Sequence, residues 1–262
     1  MSALSVISRR LPRRGRRTGQ PDVLPTEEHL SELRTRLLIA ICSVIPAFVL
    51  TFSYREFLIA QLNRPLGDVQ PTTLSIAEPF MTSLKVSFVA ALGIVMPILV
   101  WQAWSFIAPA VTHSRRKLIA VLTAVGTVLF AGGAMFGYFI ALPSAVAFLT
   151  GFDASLYETQ IRANDYYIFA IAVLISIGLV FQLPLVLLGL VRMGLVKVQT
   201  LRSNRRYIYL GLTALAVALP GVDPVLTMLE LVPLALLFEG SLLTARIMQR
   251  REDKQAPADT PA

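Results

Sequence analysis

The chain has 262 residues, of which 55% are hydrophobic and 15% charged, with a mean hydropathy of +0.65. Soluble domains carry about 25% charged residues, so this composition reads as an all-α protein with several membrane-spanning helices. The net charge of +8 does not point to nucleic acid, because Lys and Arg sit in short clusters between apolar runs, with no basic patch interleaved with aromatics.

Residues 1–26 hold Arg9, Arg10, Arg13, Arg14, Arg16 and Arg17 among Pro and Gly, without apolar periodicity, which predicts a disordered basic tail. Glu27, Glu28 and Glu32 follow just before the first apolar run. The inner loops further along contain no Asp or Glu, so a cationic ligand arriving from that side would meet its acids here. Apolar runs then predict six spans, at about residues 35–54, 84–107, 118–142, 165–191, 206–219 and 224–246. They form one membrane domain over 27–248, followed by a second disordered tail over 249–262.

Cys42, the single cysteine, lies in the first run, where it reads as a packing residue and excludes an intrachain disulfide or multi-cysteine metal site. Between the first two spans, Asn63, Pro65, Gly67, Asp68, Pro71 and Glu78-Pro79 alternate with apolar residues, the mix of an ordered outer loop with short interfacial helices. The uncharged run 118–152 is too long for one straight span, and Pro143 is where it should kink or leave the membrane. Gly133 and Gly137, four apart, predict close helix packing within the chain. Gly178 and Pro184 interrupt the fourth span. The fifth is stopped by Pro220-Gly221-Val222-Asp223-Pro224 and, at ~1.5 Å per residue, reaches only about 20 Å, short of a bilayer core of about 30 Å.

The basic residues set an orientation. Arg9 to Arg36, Arg115 to Lys117, Arg192 to Arg206 and Arg246 to Lys254 fall on one side, and only Arg55, Arg64, Lys85 and Arg162 on the other, so both termini are expected in the cytoplasm. No Walker A loop, HExxH pair, CxxC or nucleophile elbow occurs, so the expectation is no enzyme, no cofactor and no metal. Polar groups at membrane depth are the functional candidates, because they are costly there: Gln182, Asp223, Glu230 and Glu239. Two have plainer readings, Asp223 as a cap of the sixth helix and Glu239 as a snorkelling acid that pairs with Arg246.

Several local sequences occur in a fixed order: His29-Leu30-Ser31-Glu32-Leu33-Arg34-Thr35-Arg36-Leu37; Glu78-Pro79-Phe80 with Leu84-Lys85; Pro97, Gln102, Trp104 and Phe106-Ile107-Ala108-Pro109; Phe136, Tyr138-Phe139 and Pro143; Phe181-Gln182-Leu183-Pro184; Arg206-Tyr207, Asp223-Pro224 and Phe238-Glu239. Together they resemble TatC, a membrane subunit of the twin-arginine protein translocase, over residues 29 to about 248.

The resemblance implies a six-helix, glove-shaped receptor in the cytoplasmic membrane, without a cofactor, that exports folded proteins at the expense of the proton-motive force. Its implied partners are the single-span TatA and TatB proteins, the twin-arginine signal peptides of cargo, membrane lipids and further copies of itself in a receptor complex. Glu32 matches one of two family acids that bind the signal; Ser114 stands where the second, a Glu, is usual, and Glu28 or Glu27 is the candidate to compensate. Phe106 resembles a family residue near that site. Pro220 and Thr227 fall on the implied docking surface for TatA and TatB. Two other readings stay open: a divergent TatC-like paralogue with altered signal recognition, for which Ser114 speaks, and a secondary transporter using Gln182, Glu230 and Glu239 between broken helices.

Overall fold

A computed structural model describes residues 26–67, 69–107, 115–152, 154–156, 160–192, 195–218 and 224–255. Within them the chain is helical: α1 (Thr26–Ser53), α2 (Arg55–Asn63), α3 (Glu78–Ile107), α4 (Arg115–Phe136), a π segment (Gly137–Ala141), α5 (Leu142–Gly151), α6 (Ala163–Val180), α7 (Leu183–Arg192), α8 (Val198–Ser203), α9 (Arg205–Ala218) and α10 (Pro224–Gln255). Five helical runs among the described residues are long and apolar enough to cross a membrane: Ser31–Ser53, Glu78–Phe106, Ile119–Gly151, Ala163–Arg192 and Pro224–Ile247. The fourteen residues of α9 span only ~21 Å and fall short of that length.

Three boundaries depart from expectation. The third run does not stop near Leu142, because the π segment leads straight into α5, with Pro143 in its first turn. Proline has no N–H to give to the preceding turn. Widening the helix just before it, with the Leu142 N–H bonded to the Gly137 carbonyl five residues back, keeps the helical path continuous. At the C-terminal end, α10 continues to Gln255, past the predicted start of a tail at 249. At the other end, α1 begins at Thr26, so Glu27 and Glu28 stand in its first turn, where the helix dipole favours acids.

Packing follows small residues. Along α1 the ridge Leu37, Ile41, Ile45 and Val49 is exposed, and the helix leans on α3 with its other side, around Ala47, Ala91 and Val95. An apolar ridge of that size facing outward is a lipid-facing surface. Cys42 is exposed as well, so it is not a packing residue within the chain. Thr51 ties the pair by donating to the Ser87 carbonyl at 2.7 Å, which the fully buried Ser87 permits by its small size.

Between α4 and α6 the glycines act as expected, within one chain. A Cβ on Gly133 would stand 2.8 Å from Phe181 Cγ and 3.2 Å from the Gly178 backbone, and one on Gly137 would stand 3.2 Å from Leu174. Gly133→Leu is therefore expected to destabilise the folded protein by ~2 kcal/mol, read as a lower melting temperature in detergent. Gly132→Leu, at a position with open space around it, serves as the control and should leave the melting temperature nearly unchanged.

Candidate functional site

Glu32 lies one and a half turns into α1, and Arg36 lies four residues on, so both side chains fall on the same face. Arg36 donates to Glu32 through Nε at 3.1 Å and through Nη2 more closely, and its Nη1 makes a longer 3.4 Å contact with Gln102 Oε1 in the last turns of α3. Glu before Arg at this spacing is the favourable order for a helical ion pair. Both side chains are largely covered, at 29% and 21% exposure. Phe106 follows Gln102 by four residues, which puts it on the same face of α3, and it is half-buried. The α1–α3 corner thus presents a carboxylate already bonded to a guanidinium, with a carboxamide beside it.

Four sequence candidates cannot be placed beside these residues. Ser114, Asp223 and Pro220 lie outside the described residues, as does the side chain of Glu28, whose backbone belongs to α1. Thr227 is half-buried in the first turn of α10. Gln182 sits in the break between α6 and α7 and donates from Nε2 to the Gly126 carbonyl of α4 at 3.0 Å. Glu230 is buried in α10.

Glu239 has a different partner from the one its sequence suggests. It accepts from Arg205 Nη2 at 3.0 Å and from the Tyr209 hydroxyl at 2.9 Å, both on α9, and not from Arg246. Arg246 is seven residues along the same helix, about 10 Å at ~1.5 Å per residue, whereas the antiparallel neighbour brings Arg205 alongside. Gln182 and Glu239 are thus each committed to a different helix, and the structure does not join them in one pocket.

A second buried carboxylate was not singled out as a candidate. Glu78 opens α3 with its side chain 3% exposed, and accepts from Arg162 Nε at 3.1 Å and from the backbone N–H groups of Asn164 and Leu74, both at 3.0 Å. The neighbouring carboxylate pushes the Arg162 pKa further above its ordinary value, so that guanidinium stays charged at every accessible pH. Thr72 and Arg162 form an isolated parallel bridge, with Thr72 N–H to the Ile161 carbonyl and Ala163 N–H to the Thr72 carbonyl, both 2.8 Å. Three tyrosines complete this end of the bundle. Tyr138, Tyr166 and Tyr167 donate to the Gln61 carbonyl, the Leu62 carbonyl and Asn63 Oδ1, satisfying acceptors at the C-terminus of α2. The sequence signal for this lock was the Glu78-Pro79-Phe80 motif together with Arg162, one of the four basic residues assigned to that side, two features whose contact spans 84 residues.

The end of the bundle holding Glu32 is therefore a charged corner, and among the described residues the opposite end is tied by the Glu78 bonds and the three tyrosine bonds. Among the described residues no group of three His, Cys, Asp or Glu could hold a metal.

Comparison with known proteins gives this architecture its place. The family model described as Sec-independent protein translocase protein (TatC) matches residues 28–233. The TatC of Magnetococcus marinus is 34% identical over 241 residues, covering 90% of this chain and 89% of that protein. The TatC of Aquifex aeolicus is 32% identical over 237 residues, covering 87% of this chain and 98% of that protein. A crystal structure of the twin arginine translocase receptor TatC in DDM superposes with a TM-score of 0.73 at 31% identity, covering 83% of this chain and 99% of that one. Sequence, helix order and tertiary arrangement agree, and the chain belongs to the TatC family of Sec-independent protein translocase proteins, as a multi-pass protein-transport component of the cytoplasmic membrane.

Proposed function

We propose that this chain is the receptor subunit that binds twin-arginine signal peptides and carries folded proteins across the membrane on the proton-motive force, with Glu32 receiving a signal arginine. The observation that carries this reading is the Glu32 carboxylate held in a guanidinium bond at the α1–α3 corner. A site that binds its own arginine has the geometry to bind another. Membership of a family with solved members described as twin arginine translocase receptors supports it.

In this reading α9 is the short fifth of six spans, and both termini face the cytoplasm, as the clustering of Lys and Arg requires. Phe106 is assigned to the signal's side of α3, and Glu28 and Ser114 are further signal contacts assigned by their sequence position alone. The short α9 and Thr227 in the first turn of α10 belong to the surface for TatA and TatB in this reading, with Pro220 and Asp223 assigned to it by their sequence position alone, and Gln182 and Glu239 tie helices together instead of doing chemistry. No bond-making step is assigned to any residue.

Crosslinking of a twin-arginine peptide to membranes containing the full chain tests the reading. Contact near Glu32 should depend on both arginines and disappear when they are lysines, because an ammonium is a point charge that cannot make the paired guanidinium bonds. Ser114→Glu should strengthen it. Arginine-independent contact in every version overturns signal recognition, and leaves a paralogue that keeps the scaffold with altered specificity.

A further inference from the structure

We propose that the chain's own basic tail occupies the Glu32 corner through one of its paired arginines, as a tethered competitor of the signal peptide. The inference deepens the reading of Glu32 as the acceptor of a signal arginine, and rests on it. Residues 1–25 hold three adjacent pairs, Arg9-Arg10, Arg13-Arg14 and Arg16-Arg17, against one acid, Asp22. The groups that the corner is read to receive are thus carried on the same chain, just ahead of it.

Glu32 has an open side for such a guanidinium. Arg36 Nε and Nη2 both bond to the same oxygen, Oε1, and among the described residues Oε2 accepts nothing. A carboxylate offers about four acceptor positions over its two oxygens, so Oε2 is the side on which a second guanidinium enters. Two cations on one carboxylate repel each other, and Gln102 Oε1, 3.4 Å from Arg36 Nη1, is the acceptor onto which Arg36 moves as it is displaced.

The connector is long enough and the charges leave the tail few other carboxylates. Eight residues, 18–25, separate Arg17 from the start of α1. At ~3.3 Å per residue they extend over about 26 Å, whereas Glu32 lies six residues along α1, ~9 Å from its start at ~1.5 Å per residue. Any of the three pairs therefore reaches Glu32 by turning back along the helix that follows it. Glu27 and Glu28, in the first turn of α1, add negative charge along that path. Residues 106–117 and 192–206 contain no acid, and Glu239 is bonded to Arg205 and Tyr209. A tether this short corresponds to an effective concentration of ~1 mM. A tail pair that binds with a Kd of ~0.1–0.5 mM then weakens peptide capture ~3- to 10-fold.

Two measurements on the full chain in detergent test the contact. In a Cys42→Ser background, Gly15→Cys lies between two arginine pairs, and Thr35→Cys lies three residues beyond Glu32 on the same face of α1. A short bismaleimide should bridge the two within one chain, and Glu32→Gln or excess twin-arginine peptide should lower the bridged fraction ~2- to 3-fold. Separately, Arg→Lys at all six tail positions should raise capture of the peptide ~3-fold. Ammonium groups cannot make the paired guanidinium bonds, while the tail keeps its charge and hence its long-range repulsion of the cationic peptide. A bridge indifferent to Glu32→Gln, or capture unchanged by the lysine tail, overturns the proposal. A position-15 thiol that never bridges and is protected from maleimide only in phosphatidylglycerol vesicles assigns the tail to the lipid surface and overturns it too. A Glu32-dependent bridge in a chain that captures no peptide in any version upholds the tail contact and removes the signal reading instead.

Discussion

Glu32→Gln should lower the arginine-dependent capture of a twin-arginine peptide by ~10- to 100-fold, since a charge-assisted hydrogen bond contributes about 1.5–3 kcal/mol and each 1.4 kcal/mol is tenfold. The structure sharpens that expectation, because the carboxylate is not vacant. Arg36 occupies it through two of its nitrogens, with Gln102 behind. An incoming guanidinium exchanges one charged bond for another, and the net gain is what remains after Arg36 is released to Gln102 and water.

Arg36→Gln should therefore act in the opposite direction, raising peptide capture by ~3- to 10-fold at low salt by removing the internal competitor. Both effects should shrink as ionic strength rises, since the pair is partly exposed. Peptide titration against the two variants decides the matter. Capture that falls in both would mean Arg36 positions Glu32 instead of competing for it, and capture unchanged in Glu32→Gln would remove Glu32 from the site.

Glu78→Ala should be the most damaging single change to the end of the molecule opposite Glu32, with the melting temperature in detergent falling by ~5–10 °C. The buried carboxylate accepts from the Arg162 guanidinium and from the N–H groups of Asn164 and Leu74 at once, so its loss leaves three donors without their shared acceptor. Glu78→Gln keeps a carbonyl oxygen for one or two of those donors and should lose less. Arg162→Gln should also lose less, because that side chain is 41% exposed and its end of the pair is partly solvated already, while Glu78 retains both backbone donors. Equal losses in all three variants would show that the ion pair alone, and not the backbone bonds, holds the loops. The melting experiment separates this from any export defect, since the proposed peptide site at the α1–α3 corner near Gln102 is more than five helical turns from Glu78 along α3.

Much of the architecture was legible because membrane insertion imposes a simple composition rule. Five of the apolar runs correspond to helical runs of membrane length, and the shortness of the fifth predicted span, 206–219, appears as α9. The glycines at 133 and 137 could be read as points of close approach for the same reason, as only the missing side chain lets α6 sit so near. Glu32 stood out as a candidate through its local motif. Its occupation by Arg36 was latent in the i,i+4 spacing, whereas the contribution of Gln102 needed α3 to be placed beside α1.

What escaped the sequence was mostly the choice of partner. Glu239 had Arg246 one helical stretch away and took Arg205 across the α9–α10 contact instead. Pro143 signalled an end to the third run, but a five-residue π segment absorbed the missing N–H and the helix went on.

By itself, the sequence determined the class of the protein, its apolar runs, the asymmetry of its basic residues and the family it resembles. These are additive properties of local composition, since each residue's transfer from water to lipid, and each short motif, can be read without knowing what lies opposite. The tertiary structure alone decided the Glu78–Arg162 lock across 84 residues of chain, the tyrosine clasp on α2, the Arg36–Gln102 contact at the α1–α3 corner and the groove beside α9. Each of these depends on which donor meets which acceptor, or which surfaces fail to close, once the helices have packed. Hydrogen bonds and ion pairs act over a few ångströms, so their partners exist only where the fold brings them together.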